Sequence, residues 1–393
     1  MRILFFTHLF PSESDPLSGV FNLSRVKALI RRGHSVQVAK PVTLTPPIKL
    51  LLPPRTAELK AFLRTIDYRV YRYKDIEVQP LGWIPIPKFF SWYHQVTSMH
   101  LCISGKMKRV LDRFSPDLVI TSVMHPEGTY SKYIKLIINV PLFSIAEGSE
   151  VLLDTTRYRQ FEKIVQVVNS FPDINIFVSP KMLEEASSRA TFRHARVIKN
   201  GYEQDFFNYT GDAKNSSASV CRLVTVGNFD WIKAHDVLLS TVRELEGVNL
   251  TIIGAGILAA DYRKFLDANK LQHRVSIKGF IDNSVLGNYL RTFDLFCFPS
   301  RSESFGVAAV EAMACGLPVV ATRVGEMPEL IREGFNGYFC DRDSVESLKI
   351  SIMKAIKTRW DKRAIAGFVR DNYSWGKWAA EIEQLFGETS KPC

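Results

Sequence analysis

Two glutamates eight positions apart, Glu303 and Glu311, flank Ser304-Phe305-Gly306-Val307 in the run FDLFCFPSRSESFGVAAVEAMACGLPVVAT, residues 293–322. Asp294 to Phe298 predicts a buried strand, Pro299 to Ser304 a polar turn, and Gly306 the start of an Ala-rich helix that stops at Cys315-Gly316-Leu317-Pro318. A loop delivered to a helix N-terminus leaves backbone N–H groups without intrahelical acceptors. Together with the helix dipole, the amides of Phe305, Gly306 and Val307 suit a phosphate. On a continuous helix, eight residues would turn the two carboxylates about 80° apart and separate them by about 12 Å, so they cannot act on one atom. With Glu303 in the loop and Glu311 one to two turns inside the helix, they contact opposite ends of an extended ligand instead. A carboxylate that accepts from two vicinal hydroxyls is the natural reader of a ribose or a hexose ring. Taken singly, each glutamate reads as an ordinary helix-terminal or solvated charge, and a loop lysine such as Lys233 as solvated. The combination is what points to a site.

The elements that must position these residues follow from alternation. Short β-rich apolar runs alternate with helical-period segments from end to end, the pattern of parallel sheets covered by helices. In the first half strands are expected at Arg2 to Thr7, Ser35 to Lys40, Leu118 to Thr121, Leu142 to Ile145, Asn175 to Ser179 and Arg196 to Ile198. Helices fall between them: one after Gly19 closed by Gly33, one over about 96–113, and others after Gly128, Thr156 and Pro180. The polar stretch Asn200 to Ser219 has no sustained period and reads as a domain boundary. A second set follows, with strands at Arg222 to Val226, Asn249 to Ile253, Val275 to Ile277, Asp294 to Phe298 and Val319 to Thr322, and helices from Ala234, from about 259 and from Gly306. The expected organisation is an α/β chain of two similar Rossmann-like domains, 1–200 and 201–370, with a C-terminal helix over 371–393 that returns to the first. Doubly wound sheets bind ligands at the carboxyl ends of their strands, so two facing domains would enclose a cleft.

Composition sets the bounds. At 393 residues, with 46% hydrophobic and 23% charged residues, the chain is long enough for two hydrophobic cores, and disordered and fibrous classes are set aside. No stretch approaches the roughly 18 to 20 uninterrupted apolar residues of a membrane-spanning helix, so a soluble or peripherally attached protein is expected. The six cysteines are scattered, without C-x-x-C or Cys/His pairing, and read as free thiols in a reducing cytosol. Neither a metal site nor a disulfide framework is indicated. The net charge of +11 is uneven, residues 1–200 carrying 28 Lys and Arg against 16 Asp and Glu. A basic half suits an anionic acceptor, a phospholipid surface or nucleic acid, and charge alone does not choose among them.

The run P-S-R-x-E-x-F-G-x-x-x-x-E-A-M-A-C-G-x-P-V-V-A-T resembles the Glu-x7-Glu signature of glycosyltransferase family 4, retaining enzymes of the GT-B fold. The likeness extends to Gly325-Glu326-Met327-Pro328-Glu329, similar to the family's G-G-x-P-E turn, to Glu333-Gly334-Phe335-Asn336-Gly337, to Asn200-Gly201 with Phe206-Phe207, to Gly227 through Lys233, and to Ser374-Trp375. The resemblance implies that Glu303 contacts hydroxyls of the transferred sugar, Glu311 binds the ribose, and the amides of 305–307 hold the diphosphate. Lys233 neutralises the departing phosphate. Breaking an anomeric C–O bond leaves negative charge on a nucleoside diphosphate, and fixed donors there act most fully in the transition state. Base recognition would fall near Gly279-Phe280-Ile281. Asn228 stands where the family commonly has a second cationic diphosphate contact, so charge there is missing or supplied by Arg222 or Arg301. Lys233 is followed by Ala234 where glycine is usual, a milder departure.

The resemblance implies that residues 1–200 form the acceptor-binding domain and 201–370 the nucleotide-sugar-binding domain, and in the first half a glycine-bearing loop near the donor phosphates at Pro16-Leu17-Ser18-Gly19-Val20-Phe21, with Gly19 the candidate. It also implies a functional histidine near Ser122 to Gly128, and His125 is the histidine present. Glu147, which ends another strand, is an acceptor candidate. Residues 80–93, PLGWIPIPKFFSWY, read as neither good strand nor good helix, and Trp83 and Trp92 with the basic residues suit a lipid-linked acceptor or a membrane interface. Packing of a buried loop explains the same segment, and no module pattern supports nucleic acid. The expected partners are a nucleoside diphosphate sugar, as co-substrate and not cofactor, with UDP ahead of GDP, and a glycan or lipid-linked acceptor. The expected place is the cytoplasm, at the inner face of the membrane. An epimerase of the same architecture and a donor-binding protein without turnover are the alternatives. The G-x-G-x-x-A run from Gly254 to Ala259 meets a loose dinucleotide fingerprint, but no acidic residue ends a strand about 20 positions later.

Overall fold

Strands that are buried on both faces lose the polar alternation of half-exposed ones, and the strands here read LVITS, LFSIA, INIF and LFCF. A computed structural model of the protein describes residues 1–16, 18–44, 70–85, 92–148, 161–211 and 220–389. Outside it fall Leu17, residues 149–160 that precede the expected helix after Thr156, residues 86–91 of the aromatic segment, residues 212–219 of the linker and Cys393. The chain divides into two compact units: Met1–Val178, Leu183–Ile198 and Trp378–Cys393 form one, Ser179–Met182 and Lys199–Lys377 the other.

The first unit is built on an eight-stranded sheet. Its strands are β1 (Arg2–Phe6), β2 (Ser35–Thr43), β3 (Tyr71–Tyr73), β4 (Ile76–Trp83), β5 (Leu118–Ser122), β6 (Leu142–Ala146), β7 (Ile174–Phe177) and β8 (Ala195–Val197). Their order is β3-β4-β2-β1-β5-β6-β7-β8, all parallel except the β3–β4 pair. The helices are α1 (Val20–Arg31), α2 (Trp92–Phe114), α3 (Thr129–Lys135), α4 (Phe161–Ser170) and α5 (Pro180–Ser187). Gly33 ends α1 as expected: it takes φ +86°, and bonds from its N–H to Ile30 and from the His34 N–H to Leu29 complete the terminal turn. Leu4, Phe6, Met99, Met107, Val119 and Tyr130 lie in a core between the sheet and α2 and α3.

One expectation is corrected here. Residues 80–83 are not irregular but end β4, which pairs with β2 from Val38↔Val78 to Thr43↔Trp83. Pro80 is tolerated because β3 pairs with β4 only over Ile76 to Val78, so beyond that point the strand needs no donor on its outer side.

The second unit carries a six-stranded, all-parallel sheet of β9 (Cys221–Val226), β10 (Val248–Ile253), β11 (Val275–Lys278), β12 (Leu295–Phe298), β13 (Val319–Ala321) and β14 (Gly337–Phe339), in the order β11-β10-β9-β12-β13-β14. Its helices are α6 (His235–Glu244), α7 (Ala259–Ala268), α8 (Asn283–Leu290), α9 (Val307–Ala314), α10 (Met327–Leu330), α11 (Val345–Lys357) and α12 (Lys362–Asn372). The last helix, α13 (Trp375–Thr389), belongs to the first unit from Trp378 onward, where Glu383 pairs with Arg32 and His34. No helix among the described residues is long and apolar enough to cross a membrane.

Candidate functional site

The chain leaves β9 toward β10 on one side and returns to place β12 on the other, so the second sheet changes direction at the β9/β12 junction. Crevices at such switch points, beyond the carboxyl ends of the strands, are where doubly wound sheets take ligands. Lys233 lies in the segment after β9 and Glu303 in the segment after β12. The Lys233 Nζ donates to Glu303 Oε1 at 2.5 Å, with both side chains largely buried.

Each partner is fixed by local chemistry. Trp231–Lys233 is a single tight turn capped by Asp230, whose carboxylate accepts from the Lys233 backbone N–H at 3.2 Å. The aliphatic stem of Lys233 runs over Gly227, where an added β-carbon would stand 3.3 Å from it. Ala234, next in the chain, takes φ +52°. That left-handed geometry explains why glycine suits the position, and alanine there carries about 1–2 kcal/mol of strain. The segment after β12 is tied down by Arg301, which is nearly fully buried. Its backbone N–H donates to Ile232 O at 2.7 Å, and its guanidinium meets Asp236 at 2.8 and 3.0 Å and Asp343 at 2.5 Å. Arg301 therefore joins the two loops and is committed to carboxylates. Arg222 is likewise held, in a bidentate pair with Asp294. Neither replaces the cation missing at Asn228, which is exposed.

Gly306 caps α9 with φ +98°. A β-carbon there would lie 2.8 Å from Met327 Cε and 3.1 Å from Phe298 Cε1, so both geometry and space require glycine. Among the described residues the backbone N–H groups of Phe305 and Gly306 donate to no acceptor, and that of Val307 opens the helix. Phe305 itself is buried, and its carbonyl accepts from the Glu326 N–H at 2.9 Å. Glu326 is wholly buried. Its Oε1 takes Lys199 Nζ at 2.5 Å and the Tyr373 hydroxyl at 3.0 Å, and burial raises its pKa against these partners. The turn behind the 303–306 loop is thus anchored by a charge that sequence reading missed. At the other end, α9 closes on Gly316 at φ +87°, with bonds from Gly316 N–H to Met313 and from Leu317 N–H to Ala312.

Glu311 lies inside α9, partly accessible, and its side chain makes no hydrogen bond or ion pair among the described residues. Burial, with the charge of Glu203 adding, pushes its carboxyl up to about 8. Ser304 stands beside Phe305 in the same loop, partly accessible, while Phe280 is exposed and Ile281 partly so in the segment after β11. The Gly254-Ala255-Gly256 run follows β10, but its glycines serve packing. A β-carbon at Gly254 would fall 1.9 Å from the Gly227 carbonyl, and one at Gly256 2.5 Å from that of Phe229.

In the first unit, Gly19 caps α1 at φ +62°, and a β-carbon there would lie 2.1 Å from the Leu9 carbonyl oxygen. It presses α1 onto the loop after β1. His125 is buried, its Nδ1 within 2.9 Å of Thr129 Oγ1, and burial together with the nearby His8 lowers its pKa to about 4. Glu147 is held by the wholly buried Arg25 and accepts from the Ser122 hydroxyl at 2.7 Å. Trp83 is buried at the end of β4. Trp92 opens α2, and its side chain lies outside the described residues. His8 and Glu127, which the sequence did not single out, meet at 2.6 Å.

Residues 218–367, which hold the Lys233–Glu303 site, match the family model of glycosyl transferases group 1. The matched segment is less than half of the chain. An uncharacterized glycosyltransferase of Methanocaldococcus jannaschii is 26% identical over 290 residues, 72% of this chain and 78% of that protein. D-inositol 3-phosphate glycosyltransferase of Mycolicibacterium smegmatis is 29% identical over 207 residues, and the match spans about half of each chain, 50% and 47%. The α/β fold with two parallel sheets is that of solved GT-B structures. Sucrose-phosphate synthase from Thermosynechococcus elongatus superposes with a TM-score of 0.77 at 18% identity, covering 99% of this chain and 98% of that one. Anabaena HepE in complex with UDP gives 0.73 at 16% identity, covering 99% and 100%.

Proposed function

We propose that this chain is a retaining hexosyltransferase that moves a sugar from a nucleoside diphosphate, UDP ahead of GDP, to a glycan or lipid-linked acceptor, without a metal. The observation that carries the reading is the Lys233–Glu303 pair at the β9/β12 switch point, beside the unpartnered amides of Phe305 and Gly306. The amides of 305–307 and the α9 dipole take the diphosphate. Lys233 stabilises charge as the anomeric C–O bond breaks, and Glu303, released from Lys233 when the phosphate arrives, accepts from hydroxyls of the sugar. Glu311 reads the ribose, with Asn228, Ser304, Phe280 and Ile281 completing the donor contacts.

Gly19 and His125 are assigned donor contacts as well, His125 as a neutral hydrogen-bonding group, in keeping with its lowered pKa. Acceptor contact is assigned to Trp83 and Trp92, with Glu147 acting through Arg25. The basic first 200 residues suit attachment to the inner face of a membrane. A solved relative in fold, HepE, is described in complex with UDP and with UDP-glucose, which favours a uridine donor.

The test is a panel of nucleotide sugars incubated with candidate acceptors, with free nucleoside diphosphate and new glycoside measured together and the anomeric configuration read by NMR. Retention with one-to-one release is the expected result. Inversion, or an isomerised donor without release, would overturn it.

A further inference from the structure

The amides of Phe305 and Gly306 serve an anion only if they face it, and what aims them lies at the other end of their own peptide planes. In a trans peptide the carbonyl and the N–H that share the plane point in opposite directions. The one cis peptide among the described residues is elsewhere, at His125-Pro126. The Ser304 carbonyl accepts from the Ser179 hydroxyl at 2.7 Å, which turns the Phe305 N–H the opposite way. The Phe305 carbonyl accepts from the Glu326 N–H at 2.9 Å, which does the same for the Gly306 N–H. Two consecutive carbonyls are thus held from behind, and the amides they set are the two that donate to no acceptor among the described residues. Ser179, Lys199, Glu326 and Tyr373 all belong to the second unit.

Both anchors are themselves fixed. Ser179 is wholly buried, and its hydroxyl oxygen accepts from the Met182 N–H at 3.2 Å, capping α5. Its proton is left for the Ser304 carbonyl. Glu326 is wholly buried as well, with Lys199 Nζ and the Tyr373 hydroxyl both on its Oε1. The Tyr373 ring also packs edge-on against that of Phe305, centroids 6.0 Å apart. Between the turn and the loop there is no slack, since a β-carbon on Gly325 would stand 2.8 Å from the Phe305 carbonyl oxygen and 3.0 Å from Glu303 Cβ.

The Glu326 tether is costly, which sets it apart from ordinary packing. Its Oε2 is buried and accepts no hydrogen bond among the described residues, a state that lowers stability. The turn itself does not demand the side chain: Glu326 takes φ −83°, open to any residue, and the G-G-x-P-E turn that this segment resembles has glycine there. Apolar contact would hold a turn without burying a charge. Directional bonds to Lys199 and Tyr373 instead give the Glu326 N–H one position, and donors fixed in advance need no reorganisation when charge develops.

We propose that Ser179 and Glu326 are positioning residues of the reaction: through the Ser304 and Phe305 carbonyls they aim the Phe305 and Gly306 N–H groups at the donor diphosphate, with Lys199 and Tyr373 holding Glu326 in place. This rests on the proposed transferase reading, in which those amides take the diphosphate. Neither residue contacts the donor in this role, so its loss weakens the grip on the diphosphate and leaves the contacts of the nucleoside unchanged.

The experiment titrates the full chain with UDP and with UMP by calorimetry, beside its melting temperature without ligand. The quantity read is the preference for UDP over UMP, which general loosening of the fold does not move, because both nucleotides bind the same folded chain. In Ser179→Ala and Glu326→Ala the preference is expected to fall about tenfold, as for one lost hydrogen bond to a charged group, with UMP affinity within about twofold of the parent. Ser179→Asp keeps an acceptor for the Met182 N–H but has no proton for the Ser304 carbonyl, and is expected to lose the preference as Ser179→Ala does. If Glu326→Ala fails to fold, Tyr373→Phe, which keeps the ring against Phe305 and removes only the hydroxyl, carries that arm with an expected loss of about threefold. A preference equal to the parent's in Ser179→Asp, in Ser179→Ala or in the Glu326 arm would overturn the inference and leave the diphosphate reading standing. A parent that binds UMP as tightly as UDP would overturn the diphosphate reading, and the inference with it.

Discussion

Replacing Lys233 and Glu303 separately has opposite expected effects on nucleotide binding, because in the free protein each neutralises the other. At 2.5 Å and with side chains 21% and 11% exposed, the pair sits between a surface and a buried ion pair. Lys233→Ala removes the cation and leaves a carboxylate facing the diphosphate. Taking about 4 kcal/mol for unit charges 4 Å apart at an effective dielectric constant near 20, and allowing for water that replaces part of it, UDP affinity is expected to fall about 100-fold. The unpaired Glu303 also lowers folding stability, by about 1–3 kcal/mol. Glu303→Gln frees Lys233 instead, so UDP binds as tightly as to the parent or up to about tenfold tighter, while transfer from the UDP-sugar is lost. Calorimetric titration with UDP at fixed ionic strength, run beside an assay of sugar transfer, reads both effects. UDP affinity in Lys233→Ala within twofold of the parent, or equal losses in the two variants, would refute the reasoning.

Other outcomes follow from single residues. Glu311, raised to about 8 by burial, holds a proton in the folded state that the unfolded chain releases near the ordinary carboxylate pKa of about 4.3. Folding stability should therefore fall as pH rises through that window and level off above about 8. Glu311→Gln should lose the dependence, the gap between the two reaching roughly 2–4 kcal/mol by pH 8 after allowing for partial exposure; parallel stability curves from pH 5 to 9 would contradict it. Gly19→Ala places a β-carbon 2.1 Å from the Leu9 carbonyl in a left-handed conformation. It should cost about 2–5 kcal/mol and be read as a lowered melting temperature of the first unit, and an unchanged melting temperature would show that the loop after β1 yields.

The alternation of apolar runs makes most of the fold legible, because strands buried on both faces admit few polar residues and helix ends such as Gly33 and Gly316 need a residue tolerant of positive φ. β4 is hidden by Pro80, whose cost vanishes only where β3 stops pairing, a fact of register and not of composition. In the candidate site, Glu303, Gly306 and Glu311 are legible because they lie within nine residues of one strand-loop-helix unit. Arg301 is visible in the same run, but its ties to Asp236 and Asp343 form across about 40 to 65 residues of chain, and nothing local announces them. His8 and Glu127 are concealed for the same reason: each is a lone polar residue beside an apolar strand, and only the order of strands in the sheet brings them together. The signal available was topological, a histidine after the first strand and a glutamate after the strand on its far side.

The central question is whether a diphosphate is held at the β9/β12 edge. Thermal shifts of the full chain with uridine, UMP, UDP and UDP-sugars measure this, since a ligand that binds only the folded state raises its apparent stability with concentration. The expected result is a shift for UDP and UDP-sugars well above that for UMP, absent in Lys233→Ala. Equal shifts for UMP and UDP, or a UDP shift undiminished in that variant, would contradict it.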